Sequence, residues 1–389
     1  MRILFNVSSA TLQSAGIRQY TVNLLQCLAR RPDIEDLQVL SGQTIVARDS
    51  IANFLSYSDQ RATGTSGRFN SFLRRLPGAY WARQTLTDRR AASHLGHFAR
   101  LGFIYHEPNF IPVRYAGPSV ITVHDLSHLR HPEFHPGKRV AWLNTYLPKA
   151  LIKADRIAAD SEFTRREIVD LCKVDENKIS VVHIGAAPDF QPRDAQQAAQ
   201  TLSRMGLRYG GFVLSVATLE PRKNLSRLLN AYAMLPQSLR REYPLVLVGA
   251  RGWEESSVMD RIRALQSRGE LVCTGFLARE QLVDLYASAA FLAYVSLYEG
   301  FGIPIVEAFS SGIPVLTSNS TSLAEVSGGA GLQVDPTSEP AISDGLRKLL
   351  EDEALRGRLT QLGKARVKEF SLDRCADQAV AMYRHLART

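Results

Sequence analysis

The chain has 389 residues, enough for two or three domains, each with its own core. Its 45% hydrophobic and 22% charged residues are ordinary globular proportions, which excludes a disordered or fibrous chain. The 47 Lys and Arg against 38 Asp and Glu leave a formal charge of +9, so the expected partner is anionic: a nucleotide, a polyphosphate, a nucleic acid or an anionic membrane. Cys27, Cys172, Cys273 and Cys375 stand far apart with no C-x-x-C, which argues against zinc and against a disulfide framework and fits a reducing cytoplasm. The opening MRILFNVSSA reads as a strand rather than a signal peptide, and the longest apolar run, around Ala287 to Tyr298, is too short to span a bilayer.

In chain order, ILFNVS is a first strand, followed by a small-residue loop and an amphipathic helix with Leu24, Leu25 and Leu28 on one face. LQVLSG is the next strand. Residues 60–100 are irregular and basic. FIYHEPNFIP, SVITVHDLSHL and ADRIAADSEFTRREIVDLC then give strand, strand, and strand with helix, and ISVVHIG a last strand running into a Pro-rich exit. The polar stretch RDAQQAAQTLSRMG reads as a linker or short helix. Beyond it GFVLSVATLE, YPLVLVGARG, ELVCTGFL, FLAYVS, IPVLTS and GGAGLQVDP alternate with helical segments. Two series of strands alternating with helices predict two doubly wound α/β domains. The expected division is 1–195, 196–370 and a terminal helix, 371–389, that returns to the first domain.

YEGFGIPIVEAFSSGIPVLTS sets Glu299 and Glu307 into an almost wholly apolar run. Pro304 suits a first helical position and Gly312 a C-terminal cap, so Glu299 falls in a glycine loop and Glu307 in the second turn of a short helix. Ile303, Ile305, Val306, Ala308 and Phe309 leave that helix no polar face, so a buried Glu307 needs donors. Either helix N–H groups or a bound polyol supplies them. Two acids around Gly300 and Gly302, at the carboxyl end of a parallel strand, favour a ligand site. Arg222 and Lys223, in TLEPRKNL just before a helix, form an anion site suited to a diphosphate. HDLSHLRHPEFHP carries a histidine cluster, but the histidines are scattered through a Pro-containing loop with no H-E-x-x-H, so a metal site is not expected. His124 and Asp125 at a strand end are better placed to hold a substrate hydroxyl. No G-x-G-x-x-G or G-K-[ST] loop is present, and no two Asp residues stand two apart to clamp a metal on a diphosphate, so no metal or other cofactor is expected.

Together EGFGIPIVE, LEPRKNL, HDLSHLRHPEFHP, DSEFTRREI and GGAGLQVDP resemble the retaining GT-B glycosyltransferases of family 4, along nearly the whole chain. The resemblance implies a GT-B fold, two Rossmann-like domains facing a central cleft. It assigns Glu307 to the nucleotide ribose, Glu299 to the transferred sugar, the backbone of Gly300, Phe301, Gly302 and Ile303 to sugar and phosphate, Arg222 and Lys223 to the diphosphate, and His124 to the sugar. Phe276 and Leu277 fall where the base packs. Gly16 lies in the family's first loop, where Gly16, Ile17 and Tyr20 keep the pattern and Arg18 replaces a usual Gly.

The implied reaction moves a hexose, with mannose from GDP-mannose the first choice, to a glycan hydroxyl, lipid-linked, in bacterial surface polysaccharide synthesis of the O-antigen type. UDP-sugar donors, a GT-B-shaped epimerase or phosphorylase, and an inactive partner subunit are the alternatives. Gly67 to Arg90 combines Phe69, Phe72, Leu73, Tyr80 and Trp81 with six arginines and one acid, so peripheral attachment to an anionic membrane is expected through 67–90. No motif supports nucleic-acid binding.

Overall fold

The computed structural model describes residues 1–8, 15–55, 95–250 and 256–387. The segment 67–90, with the membrane expectation it carries, lies outside them. Two compact units divide the chain: Met1–Gly185 with Leu372–Thr389, and Ala186–Ser371.

The first unit is built on β1 (Arg2–Asn6), β2 (Asp36–Ser41), β3 (Thr44–Ala47), β4 (Ile104–Glu107), β5 (Ser119–Val123), β6 (Arg156–Ala159) and β7 (Ile179–Val181), in the order β3-β2-β1-β4-β5-β6-β7. All neighbours run parallel except β3, which pairs antiparallel with β2 across a two-residue turn at Gly42 (φ 63°). The second unit holds β8 (Val213–Val216), β9 (Leu245–Val248), β10 (Leu271–Gly275), β11 (Phe291–Tyr294), β12 (Val315–Ser318) and β13 (Leu332–Val334), all parallel in the order β10-β9-β8-β11-β12-β13. Every residue of β4, β9, β11 and β12 is buried, as expected of parallel strands covered on both faces.

In each sheet the chain winds outward from its first strand and then crosses back to wind the other way. The connections therefore part at β1/β4 and at β8/β11, and the carboxyl ends of those strands leave a crevice where ligands of such folds bind. Glycine is obligatory at one exit. Gly249 (φ 153°) follows β9, and a Cβ there would stand 1.8 Å from the Ala217 carbonyl oxygen.

Residues 186–195, grouped with the first half on sequence, pack into the second unit. Phe190 is buried edge-on against Tyr286, ring centroids 5.1 Å apart, and Arg193 bonds Asp284 at 2.5 Å. On sequence this segment reads as the Pro-rich exit of the first half, and the polar stretch after it, read as a linker or short helix, forms the helix Ala195–Met205. The helix Leu372–Ala387 packs on the first unit through the Tyr383–His106 and Gln378–His183 contacts, with Asp377 and Arg384 bridging Arg31 and Asp33.

Candidate active site

The switch point of the second unit gathers the predicted cations and one predicted acid. After β8 the chain makes a single turn of 3-10 helix, Pro221–Lys223. Asn224 ends it in the left-handed region (φ 62°), where a short polar side chain is tolerated, and sends Nδ2 to the carbonyls of Val295 and Pro336 at 2.9 and 2.7 Å. Leu297 N–H donates to the Arg222 carbonyl at 2.9 Å. These bonds lock the loop after β8 to the loop after β11, which carries Glu299. Ser322 Oγ then donates to the carbonyls of Glu299 and Phe301, fixing the acid's own backbone.

The side chains converge accordingly. Glu299 is 6% exposed. Its Oε2 accepts from Arg222 Nη1 at 2.8 Å, and its Oε1 accepts from Lys223 Nζ at 2.5 Å and the Tyr294 hydroxyl at 2.6 Å. Lys223 Nζ also donates to Tyr294 at 3.0 Å, and Arg222 Nε reaches Glu220 at 3.1 Å. Burial opposes ionisation of Glu299, but Lys223 and Arg222 outweigh it and hold the carboxyl at about 2. Burial and the adjacent Arg222 push Lys223 below its ordinary range. Glu299 therefore needs no bound polyol to supply donors. The protein satisfies it, and in doing so stores two cations at the place where an anion would arrive.

Gly302 caps the helix Ile303–Ser311 with φ 109°, and a Cβ there would lie 2.6 Å from Leu323 Cδ2. The glycine lets the loop pass under Leu323 and leaves the Ile303 N–H at the carboxyl edge; Pro304 has no N–H, and the Ile305 N–H donates to the Gly302 carbonyl at 3.0 Å. Glu307, in that helix, is 5% exposed and belongs to a second network. It faces the Tyr286 phenol, whose pKa burial and then Glu307 raise well above the usual range, and Arg279. Arg279 in turn grips Asp189 at 2.6 and 2.9 Å and lies over the Phe190 ring. Phe276, after β10, is 80% exposed, and Leu277 beside it is half-buried.

In the first unit His124 follows β5. Its Nδ1 bonds Asp160 Oδ2 at 2.7 Å and its Nε2 the Pro108 carbonyl at 3.0 Å, with Tyr20 and Phe110 edge-on to the ring. Burial disfavours the charged ring, but Asp160 and the Pro108 carbonyl more than offset it, and the pKa rises above the ordinary value. Both ring nitrogens already have partners within the first unit. Asp125 accepts from Ser127 N and Oγ at 2.9 and 2.6 Å and starts the turn Ser127–Arg130. Gly16 is exposed at the start of the helix Ala15–Ala29, and Tyr20, one turn on, is buried and hydrogen-bonds Thr122.

Sequence reasoning missed Tyr294, Glu220 and Asp160. Tyr294 reads as one more apolar residue of a buried strand, and Asp160 stands 36 positions from its histidine. A strand-end Tyr directly before a Glu-containing glycine loop is the one usable signal.

Comparison with known proteins identifies the fold and the family. Over the whole chain the fold matches a glycosyltransferase from Rickettsia africae (TM-score 0.68, 16% identity, 100% of this chain and 99% of that one). It also matches WaaG, described as a glycosyltransferase involved in lipopolysaccharide biosynthesis (TM-score 0.65, 15% identity, 98% and 99%). The fold class is thus GT-B. Residues 15–190 match the family model described as Glycosyltransferase Family 4, and residues 210–366 the model Glycosyl transferases group 1. The O-antigen chain mannosyltransferase B of Escherichia coli is 36% identical over 386 residues, covering 99% of this chain and all of that one. The serotype-specific mannosyltransferase WbdA of Escherichia coli is 30% identical over 282 residues, 70% of this chain and 34% of its own length. This chain belongs to the GT-B glycosyltransferases with a family 4 first half and a group 1 second half.

Proposed function

We propose that the enzyme transfers a mannosyl residue from GDP-mannose to a hydroxyl of a lipid-linked glycan in the assembly of an O-antigen-type surface polysaccharide, with retention at the anomeric carbon. The observation that carries donor binding is the Arg222–Lys223–Glu299–Tyr294 cluster at the β8/β11 switch point. The choice of mannose is supported by the full-length similarity to the Escherichia coli mannosyltransferase.

In this reading the diphosphate competes with Glu299 for Arg222 and Lys223. As phosphate oxygens take over those cations, the Glu299 carboxylate is released to accept from hydroxyls of the transferred sugar. Glu307 takes the ribose, the Gly300–Ile303 backbone faces sugar and phosphate, and Phe276 with Leu277 packs the base. On the first unit His124 and Asp125 are the candidates for holding a sugar hydroxyl, at the cost of exchanging a bond each already makes. Gly16, at the start of the helix Ala15–Ala29 rather than in a loop, is the candidate for a close approach to phosphate or acceptor. The C1–O bond to the diphosphate breaks, the acceptor oxygen bonds C1 on the same face, and its proton passes to the departing phosphate oxygen. Cations and helix N–H groups stabilise the charge developing on that phosphate. With no Asp pair to clamp a metal, donor binding is metal-independent, and EDTA leaves it unchanged.

The test is a thermal-shift panel of GDP- and UDP-sugars followed by product analysis with the best donor. GDP-mannose should give the largest shift and a retained α-linked product. A larger shift and turnover with a UDP-sugar overturns the donor, and turnover without any second sugar overturns the reaction class. Flotation with anionic vesicles at low salt tests attachment through residues 67–90; protein that never floats removes that part.

A further inference from the structure

The two sheets share one topology, but their switch points are furnished differently. In the second unit the acid after β11 is matched by two cations. In the first unit the acid at the end of β4 is not. Register pairs Leu4 with Tyr105 and Phe5 with His106, so Asn6 and Glu107, one residue further, are opposite each other at the carboxyl ends of β1 and β4. Asn6 Nδ2 donates to Glu107 Oε2 at 2.6 Å and the Tyr105 hydroxyl donates to the same oxygen at 2.7 Å. Asn6 Oδ1 accepts from Ser8 N–H at 2.9 Å, which fixes the amide with its nitrogen toward Glu107. Both donors land on Oε2. Among the described residues none donates to Oε1, and none of the ion pairs includes Glu107.

We propose that Glu107, held by Asn6 and Tyr105 at the β1/β4 switch point, binds a hydroxyl of the acceptor sugar through Oε1. The inference rests on the glycosyltransferase reading above and adds a residue of the acceptor site to it. Glu107 is 4% exposed, so its environment is dry and its one unused oxygen is matched to a ligand rather than to bulk water. Burial pushes its pKa to about 8, which leaves a proton on the carboxyl at neutral pH. With Oε2 already accepting twice, Oε1 is the oxygen left to carry that proton as a donor. Among the described residues no Arg or Lys pairs with it, which favours a neutral hydroxyl over a phosphate or carboxylate. The support behind it is rigid. His106, between Tyr105 and Glu107, faces the other side of the sheet, where Tyr383 bonds Nδ1 at 2.5 Å and Thr122 bonds Nε2 at 2.9 Å.

The experiment uses the full chain, GDP-mannose, and octyl α-mannoside as acceptor probe. Glu107→Ala should raise the acceptor KM by roughly tenfold or more, because a buried partner is lost. GDP affinity should stay at the wild-type value. Glu107→Gln keeps a neutral donor in place and should stay within about threefold of wild type in acceptor KM. If the alanine variant does not fold, Glu107→Asp, which withdraws the carboxyl by one methylene, should show the same rise in KM. An unchanged acceptor KM in Glu107→Ala or Glu107→Asp overturns the proposal. So does an equal loss of GDP affinity, which marks a purely structural role. Absence of turnover by the wild type with every sugar nucleotide instead sinks the donor reading, and the acceptor site with it.

Discussion

Glu299 and Glu107 show how one residue type is tuned in opposite directions by its surroundings. The Glu299 carboxyl lies below its ordinary 4.5, at about 2. Its contribution to stability is therefore present above the unfolded value and is lost as pH falls from about 4.5 toward 2. Glu299→Gln should cost about 3–5 kcal/mol at neutral pH, since the half-buried Lys223 loses its carboxylate partner and Arg222 keeps only Glu220. Its urea-unfolding stability should also fall less steeply than that of wild type between those two pH values. Parallel curves for the two proteins would refute the ion-pair account. Glu107 runs the other way. Its folded pKa of about 8 exceeds the unfolded 4.5, so the folded state loses stability as pH rises through that window. Glu107→Gln should melt near the wild-type temperature at pH 5 and clearly above it at pH 9. A difference that does not grow with pH would show that the carboxyl is not held protonated.

Among the elements, the loop from β11 into the helix Ile303–Ser311 depends most on a single position. Gly302→Ala meets both a left-handed backbone and the Leu323 side chain, and should destabilise the protein by about 1–3 kcal/mol. Pairing it with Leu323→Ala removes the contact but leaves the backbone strain, so nucleotide affinity should recover only in part. Full recovery would place the whole cost in the contact. Most elements were legible beforehand because parallel strands buried on both faces are continuous apolar runs bounded by glycine and proline. The exception is β3, four residues of an antiparallel edge with no buried position, which leaves no periodic mark. The site was legible where its residues lie in one stretch, as with Glu299 and Glu307, or beside a helix start, as with Arg222 and Lys223. It was hidden where the chemistry arises between strands. Glu107 sits in the quoted FIYHEPNFIP, yet its environment is set by Asn6, 101 positions earlier, and no local pattern records that pairing.

For the whole molecule, the helix Leu372–Ala387 matters beyond its length. It buries Cys375, Ala376, Ala379, Val380, Met382 and Tyr383, and its Tyr383 bonds a histidine in the centre of the first sheet. Removing residues after Ser371 should uncover that face, which carries Phe5 and His106, while the second unit keeps all its strands. Calorimetry of the truncated chain should show the first unit's transition lost or strongly lowered and the second unit's retained. Equal lowering of both would mean that the helix stabilises the molecule as one block.

The same return of the chain sets an order of assembly on the ribosome. Residues 186–371 form a continuous stretch and can close their core as soon as they emerge. The half translated earlier cannot, because its last packing element is made only after the whole of the second unit. The unit synthesised first is therefore completed last. Until residues 372–387 arrive, the side of the sheet that the helix covers at β4, β6 and β7 stays open, and this is the interval in which a nascent chain most needs a chaperone.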